Sequence, residues 1–191
     1  MTTPTTLATD EARTRLHELT VIDVRTPGEY AGGHLPGALN VPLGHIQRAL
    51  PDIRHAADRG DVLIVCASGA RSENAGRILA ENGVSAATLA GGTGAWAADG
   101  HELHRPEGAP RATWGMERQV RLTAGAIVLL GLLLGLVVHP AFQLLSAGIA
   151  GGLVFSALTD TCGMAAMLAR LPHNRPRATD LDETLAALRN R

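Results

Sequence analysis

Residues 122–159 run for 38 positions without a single Asp, Glu, Lys or Arg. A helix lying on a soluble core keeps a polar stripe on its outer face. A run this long and this bare therefore fits a bilayer better than a pair of buried core helices. One spanning helix takes about 20 residues, so the window suits two. His139-Pro140-Ala141 sits in its middle, and proline removes a backbone donor and pushes its predecessor out of the helical region. The expectation is one span over 122–138 and a second over 142–168, an all-α transmembrane hairpin.

Arg111, Arg118 and Arg121 precede the first span, and Arg170, Arg175 and Arg177 follow the second; the turn between carries none. The excess of Arg on the cytoplasmic side of membrane proteins puts both flanks in the cytoplasm. Residues 1–20 hold no apolar signal segment that would export what precedes the hairpin. Trp114 suits an interface anchor. Gly131 and Gly135, and again Gly148 and Gly152, set two small residues on one helix face, where another backbone can approach closely. Either the two helices of one chain or two chains, as a homodimer, can use that spacing.

The remaining composition excludes several classes. The net charge of −1 does not suit a nucleic-acid binder, and 3% aromatic residues leave no platform for stacking bases. All 17 basic residues are Arg, which rules out Schiff-base lysine chemistry and a phosphate-loop lysine. Cys66 and Cys162 lie 96 positions apart, neither a disulfide framework nor a paired metal motif. His101 and His104 have ligand-like spacing but no third ligand nearby, so no metal is expected.

Before the hairpin, the pattern predicts helix over 9–19, strand over 21–24, helix over 43–50, strand over 62–66 and helix over 71–82. Strand over 86–89 and a short helix over 94–99 follow. This alternation predicts an α/β domain with a mostly parallel sheet and helices on both faces. The domains are then 1–108, carrying the chemistry, the hairpin over 109–175, and a cytoplasmic tail over 176–191. In the tail, Leu181, Leu185 and Leu188 fall at helical spacing and Asp180 can cap.

Cys66 ends the apolar strand, where ligands bind in parallel sheets. Ala67, Ser68, Gly69 and Ala70 are small enough to wrap into a cup whose inward N–H groups form an anion nest. The following helix adds its positive N-terminal end, and Arg71 adds a fixed cation. All three favour a thiolate nucleophile. Six residues span Cys66 to Arg71, one fewer than the loop that cysteine phosphatases close around phosphate, and Ser72 occupies the phosphatase arginine position. The tighter cup suits a single extra sulfur atom. Asp23, Arg25 and Glu29 read as support, with Arg25 and Glu29 paired four residues apart. His34 reads as a turn residue.

Several ordered motifs now add up. Val21-Ile22-Asp23-Val24-Arg25, Glu29-Tyr30, the segment from Gly33-His34 through Val41-Pro42, the Cys66–Arg71 loop and Gly91-Gly92-Thr93-Gly94-Ala95-Trp96 together resemble the rhodanese domain. Thr159-Asp160-Thr161-Cys162-Gly163-Met164 and Leu171-Pro172-His173-Asn174 look like the membrane hairpin of bacterial inner-membrane rhodaneses. The resemblance implies a cofactor-free persulfide relay: Cys66 takes sulfane sulfur from a small donor and passes it to cyanide or a thiol. Ala67 and Ser68 leave Arg71 as the loop's one cation, which widens the donor class from thiosulfate to persulfides. Arg71 would grip an oxyanion donor with two N–H groups. Cys162 is a second thiol candidate near Asp160. The alternative is a redox-sensing or sulfur-delivery module with little turnover.

Overall fold

The computed structural model describes residues 5–105, 115–159, 163–169, 171, 174 and 178–190. Two compact units divide the chain: Met1–Thr113 with Arg175–Arg191, and Trp114–Asn174.

The first unit is built on five parallel strands, β1 (Thr6–Leu7), β2 (Thr20–Asp23), β3 (Leu39–Asn40), β4 (Val62–Val65) and β5 (Ala87–Leu89), in spatial order β1-β5-β4-β2-β3. Helices α1 (Thr9–Arg15), α2 (Pro27–Ala31), α3 (Ile46–Ala57) and α4 (Ala70–Glu81) connect them, and α5 (Gly92–Ala98) follows β5. Alternation along β2 and β4 sorts the core into two layers. Ile22, Val62, Ile64 and Cys66 face α3 and α4, whereas Val21, Leu63 and Val65 face α1 and α5. The α/β reading holds. The sequence reading missed β1, β3 and α2, although Thr26-Pro27-Gly28-Glu29 carries a capping-box signature with proline in the first turn.

Two boundaries differ for physical reasons. The helix expected to stop at residue 50 continues as α3 through Pro51 to Ala57. Proline gives up one hydrogen bond there, and burial of Ile46, Ala49, Ile53 and Ala56 along one stripe offsets the loss. The segment expected to be a separate tail is α9 (Ala178–Asn190), whose Leu181, Leu185 and Leu188 are buried in the α3-side core of the first unit. Its last carbonyls, of Leu188 and Arg189, accept hydrogen bonds from Arg59 at 3.0 and 2.9 Å. Asp180 stands in the first turn of α9 rather than before it.

The second unit holds α6 (Met116–Val137), a short 3-10 turn at Pro140–Phe142, α7 (Gln143–Thr159) and α8 (Gly163–Ala169). The second span was expected as one helix over 142–168; α7 and α8 are its described parts, and the residues between them, Asp160 and Cys162 included, lie outside the described ones. Trp114, Arg111, Arg170, Arg175 and Arg177 lie outside them too. Within the apolar stretches, 17% of the first and 6% of the second are buried inside the chain, unlike the core helix of a soluble protein, which is mostly buried. Gly131 and Gly135 are used inside the chain. A Cβ on Gly131 would collide with Ser146 Oγ and reach 3.1 Å from the Phe142 carbonyl, and one on Gly135 would stand 2.6 Å from Gln143 Cγ. Ser146 donates to the Val128 carbonyl at 2.9 Å across the same contact. Gly148 and Gly152 have open space beside them.

Candidate active site around Cys66

Parallel strands bring their carboxyl ends to one edge of the sheet. β4 lies between β5 and β2, so the residues after all three strands converge. Cys66 follows β4, the segment Asp23–Glu29 follows β2, and the Gly91–Gly94 turn follows β5.

The Cys66 thiol is buried, with the Gly69 N–H donating to Sγ at 3.1 Å and Ser72 Oγ 3.5 Å away. Gly69 has φ +112° and caps α4, a conformation open to glycine at little cost. Ser72 donates to the Gly69 carbonyl at 2.6 Å, which fixes the turn. On the other side, the Thr93 N–H donates to the Cys66 carbonyl at 2.8 Å and the Gly94 N–H to the Ala67 carbonyl at 3.0 Å. These bonds hold the carbonyls of the cup's first two residues toward α5. The close approach needs Gly92, where a Cβ would run into the Cys66 carbonyl oxygen and stand 2.8 Å from the Ala67 carbonyl carbon. Sequence reading used Gly92 only as part of a motif and did not see that it abuts the loop.

The ion pairs differ from expectation. Arg25 binds Asp23, not Glu29: Nε meets both carboxylate oxygens at 3.0 Å, and one Nη reaches Oδ2 at 2.6 Å and the Gly33 carbonyl at 2.7 Å. Glu29 instead binds Arg71 in a two-pronged pair of 2.8 and 2.9 Å. The terminal nitrogens of Arg71, expected to grip an oxyanion donor, are therefore engaged by a carboxylate. Glu29 Oε2 also accepts from the Thr26 N–H and hydroxyl at 3.1 and 2.8 Å, closing the capping box of α2. The supporting role expected of Asp23, Arg25 and Glu29 stands with the partners exchanged. His34 is buried, its Nδ1 2.9 Å from the Tyr30 carbonyl and its ring stacked on Tyr30. His101 packs on Trp96, whereas His104 bridges to His34. A cavity of about 660 Å³ beside Thr20 and Gly60 opens at the opposite, amino-terminal end of the strands and touches none of these groups.

Burial opposes the charge on Glu29, but the hydrogen bonds and charge of Arg71, aided by Thr26, outweigh it and draw the carboxyl down to about 2. The Arg71 guanidinium, opposed by the same burial, is raised by Glu29 and secondarily by Cys66. A carboxyl with a depressed native pKa stabilises the fold above its unfolded value, and that stability is lost as pH falls. The pair's contribution should thus be present above pH 4.5 and disappear on acidification toward 2. Acid titration of the melting temperature should show a decline over that interval that flattens in Glu29→Gln; equal slopes in both proteins would contradict the pairing.

Residues 8–99 match the rhodanese-like domain, and residues 115–177 match the inner membrane protein YgaP-like transmembrane domain. The uncharacterized protein slr1261 of Synechocystis is 36% identical over 156 residues, covering 81% of this chain and 84% of its own length. A sulfurtransferase of Allochromatium vinosum is 40% identical over 92 residues, covering 48% of this chain and 83% of its own. The fold is that of a rhodanese-related protein of Thermoplasma volcanium, with a TM-score of 0.50 at 22% identity over 53% of this chain and 99% of that one. The chain belongs to the rhodanese family, in the form that joins a rhodanese-like domain to a YgaP-like membrane domain.

Proposed function

We propose that this chain is a membrane-anchored sulfurtransferase in which Cys66 carries sulfur as a persulfide. The observation that carries the reading is the cup itself: a lone cysteine at the carboxyl end of the central strand, with the Gly69 amide aimed at its sulfur and the carbonyls of Cys66 and Ala67 drawn back by α5. Such a cup lowers the energy of negative charge on a sulfur without presenting carbonyl oxygens to it. The sulfurtransferase name of the Allochromatium relative supports the same reading.

In the first half-reaction the Cys66 thiolate attacks the sulfane sulfur of the donor. The donor's S–S bond breaks, and its electron pair leaves on sulfite from thiosulfate, or on a thiolate from a persulfide. In the second, cyanide or an acceptor thiolate attacks the outer sulfur of Cys66–S–S⁻ and restores the Cys66 thiolate. No electrons are gained or lost overall. The Gly69 amide faces the sulfur being carried, within the loop that Ala67, Ser68, Gly69 and Ala70 form between Cys66 and Arg71.

The core supports a two-crossing topology: residues before the hairpin and α9 after it share one hydrophobic cluster, as two ends lying on one side of a membrane would. Arg118 and Arg121 before the first span, with no Arg in the turn, favour the cytoplasmic side of a bacterial inner membrane. Gly148 and Gly152 on α7, open on their flank, offer a face for a second copy.

The test is mass spectrometry of the full-length protein, intact and after digestion to peptides, following treatment with thiosulfate or cysteine persulfide. Gain of one sulfur on the Cys66 peptide, reversed by cyanide, is the expected result; Cys66→Ser should gain none and turn over nothing. Loading without repeated turnover would instead favour the sulfur-delivery module, and absence of loading would sink both.

A further inference from the structure

The partner exchange around Arg71 bears on which donor the site accepts, an inference that rests on the sulfurtransferase reading. Thiosulfate places a charged sulfonate against the reacting sulfur and leaves as a sulfite dianion. A persulfide brings one charge on the reacting sulfur and leaves as a thiolate. The first donor needs an available cation at the cup; the second does not.

The loop from Cys66 to Arg71 contains one cation, because Ala67, Ser68, Gly69 and Ala70 are uncharged. Both terminal nitrogens of that cation are bound to the two oxygens of Glu29. Glu29 cannot swing aside cheaply, since Oε2 also holds the Thr26 N–H at the start of α2. A second carboxylate lies at the rim. Glu73 Oε1 stands 3.6 Å from where a Cβ on Gly69 would be, beside the residue whose amide meets the sulfur. Glu73 is exposed, so its charge faces an incoming donor. One guanidinium and two carboxylates leave the rim with a formal charge of −1, which repels a dianion more than a monoanion.

We propose that Glu29 is a specificity-determining residue: by occupying Arg71 it makes a low-molecular-weight persulfide, rather than thiosulfate, the preferred sulfur donor of Cys66. The transfer balances. The Cys66 thiolate attacks the outer sulfur of R–S–S⁻, the R–S bond to that sulfur breaks, and R–S⁻ departs as Cys66–S–S⁻ forms. Glu29 acts through Arg71 and is a positioning residue rather than a catalytic one.

The experiment measures the second-order rate of Cys66 loading in the full-length protein in detergent, from quenched intact masses, with cysteine persulfide and with thiosulfate as separate probes. Because persulfides differ intrinsically in reactivity, the informative quantity is the ratio of the two rates across variants. Glu29→Gln keeps groups able to cap Thr26 while releasing the charge of Arg71. It should raise the thiosulfate-to-persulfide ratio about tenfold, the effect of one newly unpaired charge at the rim. Glu73→Gln, on an exposed side chain, should move it the same way by less and keeps the idea testable if Glu29→Gln folds poorly. Added salt should speed thiosulfate loading of the wild type, by screening repulsion, and change it little in Glu29→Gln, whose rim carries one guanidinium and one carboxylate. An unchanged ratio, or both rates falling together in Glu29→Gln, would overturn the proposal while leaving the sulfurtransferase reading intact. Failure of both donors to load the wild type would overturn that reading as well.

Discussion

Gly92→Ala is expected to slow sulfur loading of Cys66 by about 100-fold, the scale set by displacing a reacting group by about an ångström. The added methyl would collide with the Cys66 carbonyl oxygen and stand 2.8 and 2.9 Å from the carbonyl carbon and oxygen of Ala67. All of these are backbone atoms, so no side-chain rotation relieves the clash. The alanine would also have to hold φ near +60°, which costs a further 1 kcal/mol or so. Relief comes only by parting the loop from α5, which breaks the bonds from Thr93 and Gly94 to the two carbonyls. Freed carbonyls can rotate toward the sulfur and carry the amides away from it. Gly44→Ala is the control, because a methyl there meets nothing within 4 Å. Quenched loading assays on the two variants, beside their melting temperatures, separate loop geometry from stability. Wild-type loading by a folded Gly92→Ala protein would refute the role assigned to this contact.

The legible parts of the sequence were those in which one local pattern carries one physical cause. The unbroken apolar run of β4 put Cys66 at a strand end, and the charge-free window marked out two apolar helices in the stretch that matches the YgaP-like transmembrane domain. Pairings set by topology were not legible. Arg25 and Glu29 look like partners because they are four residues apart, yet Glu29 meets Arg71, 42 positions away, because β2 and β4 are sheet neighbours. Arg25 in turn is satisfied by Asp23, two residues back. The same blindness hid the role of Gly92, whose contact with the Cys66 loop exists only once β5 lies beside β4. Pro51 misled in the other direction: a local breaker was overruled by a buried stripe that continues past it. The helical spacing of Leu181, Leu185 and Leu188 was visible, but their apolar partner, α3, lies more than 120 residues earlier in the chain.

That last pairing carries the other large effect. Leu188→Asp is expected to destabilise the first unit by about 3–5 kcal/mol, because it removes a fully buried leucine and introduces a charge with no apolar-free route to water. Leu188→Ala should cost about 2–4 kcal/mol through the lost contacts and the cavity left behind. The ion pairs that dress the same helix contribute far less. Arg48–Asp182 is more than half exposed on both sides, so Asp182→Ala should cost under about 1 kcal/mol. The contrast matters because α9 lies beyond both family matches, which end at residues 99 and 177, and a boundary drawn from them would discard it. Hydrogen exchange on the full-length protein provides the check. Amides of α9 and α3 should be protected to a similar degree in the wild type, and Leu188→Asp should accelerate exchange in both. If α9 exchanges like free peptide while α3 stays protected, the helix is an appendage. If the two move together, residues 114–174 are an insertion within a folded unit, and the helix that follows them belongs to the same core that holds Cys66.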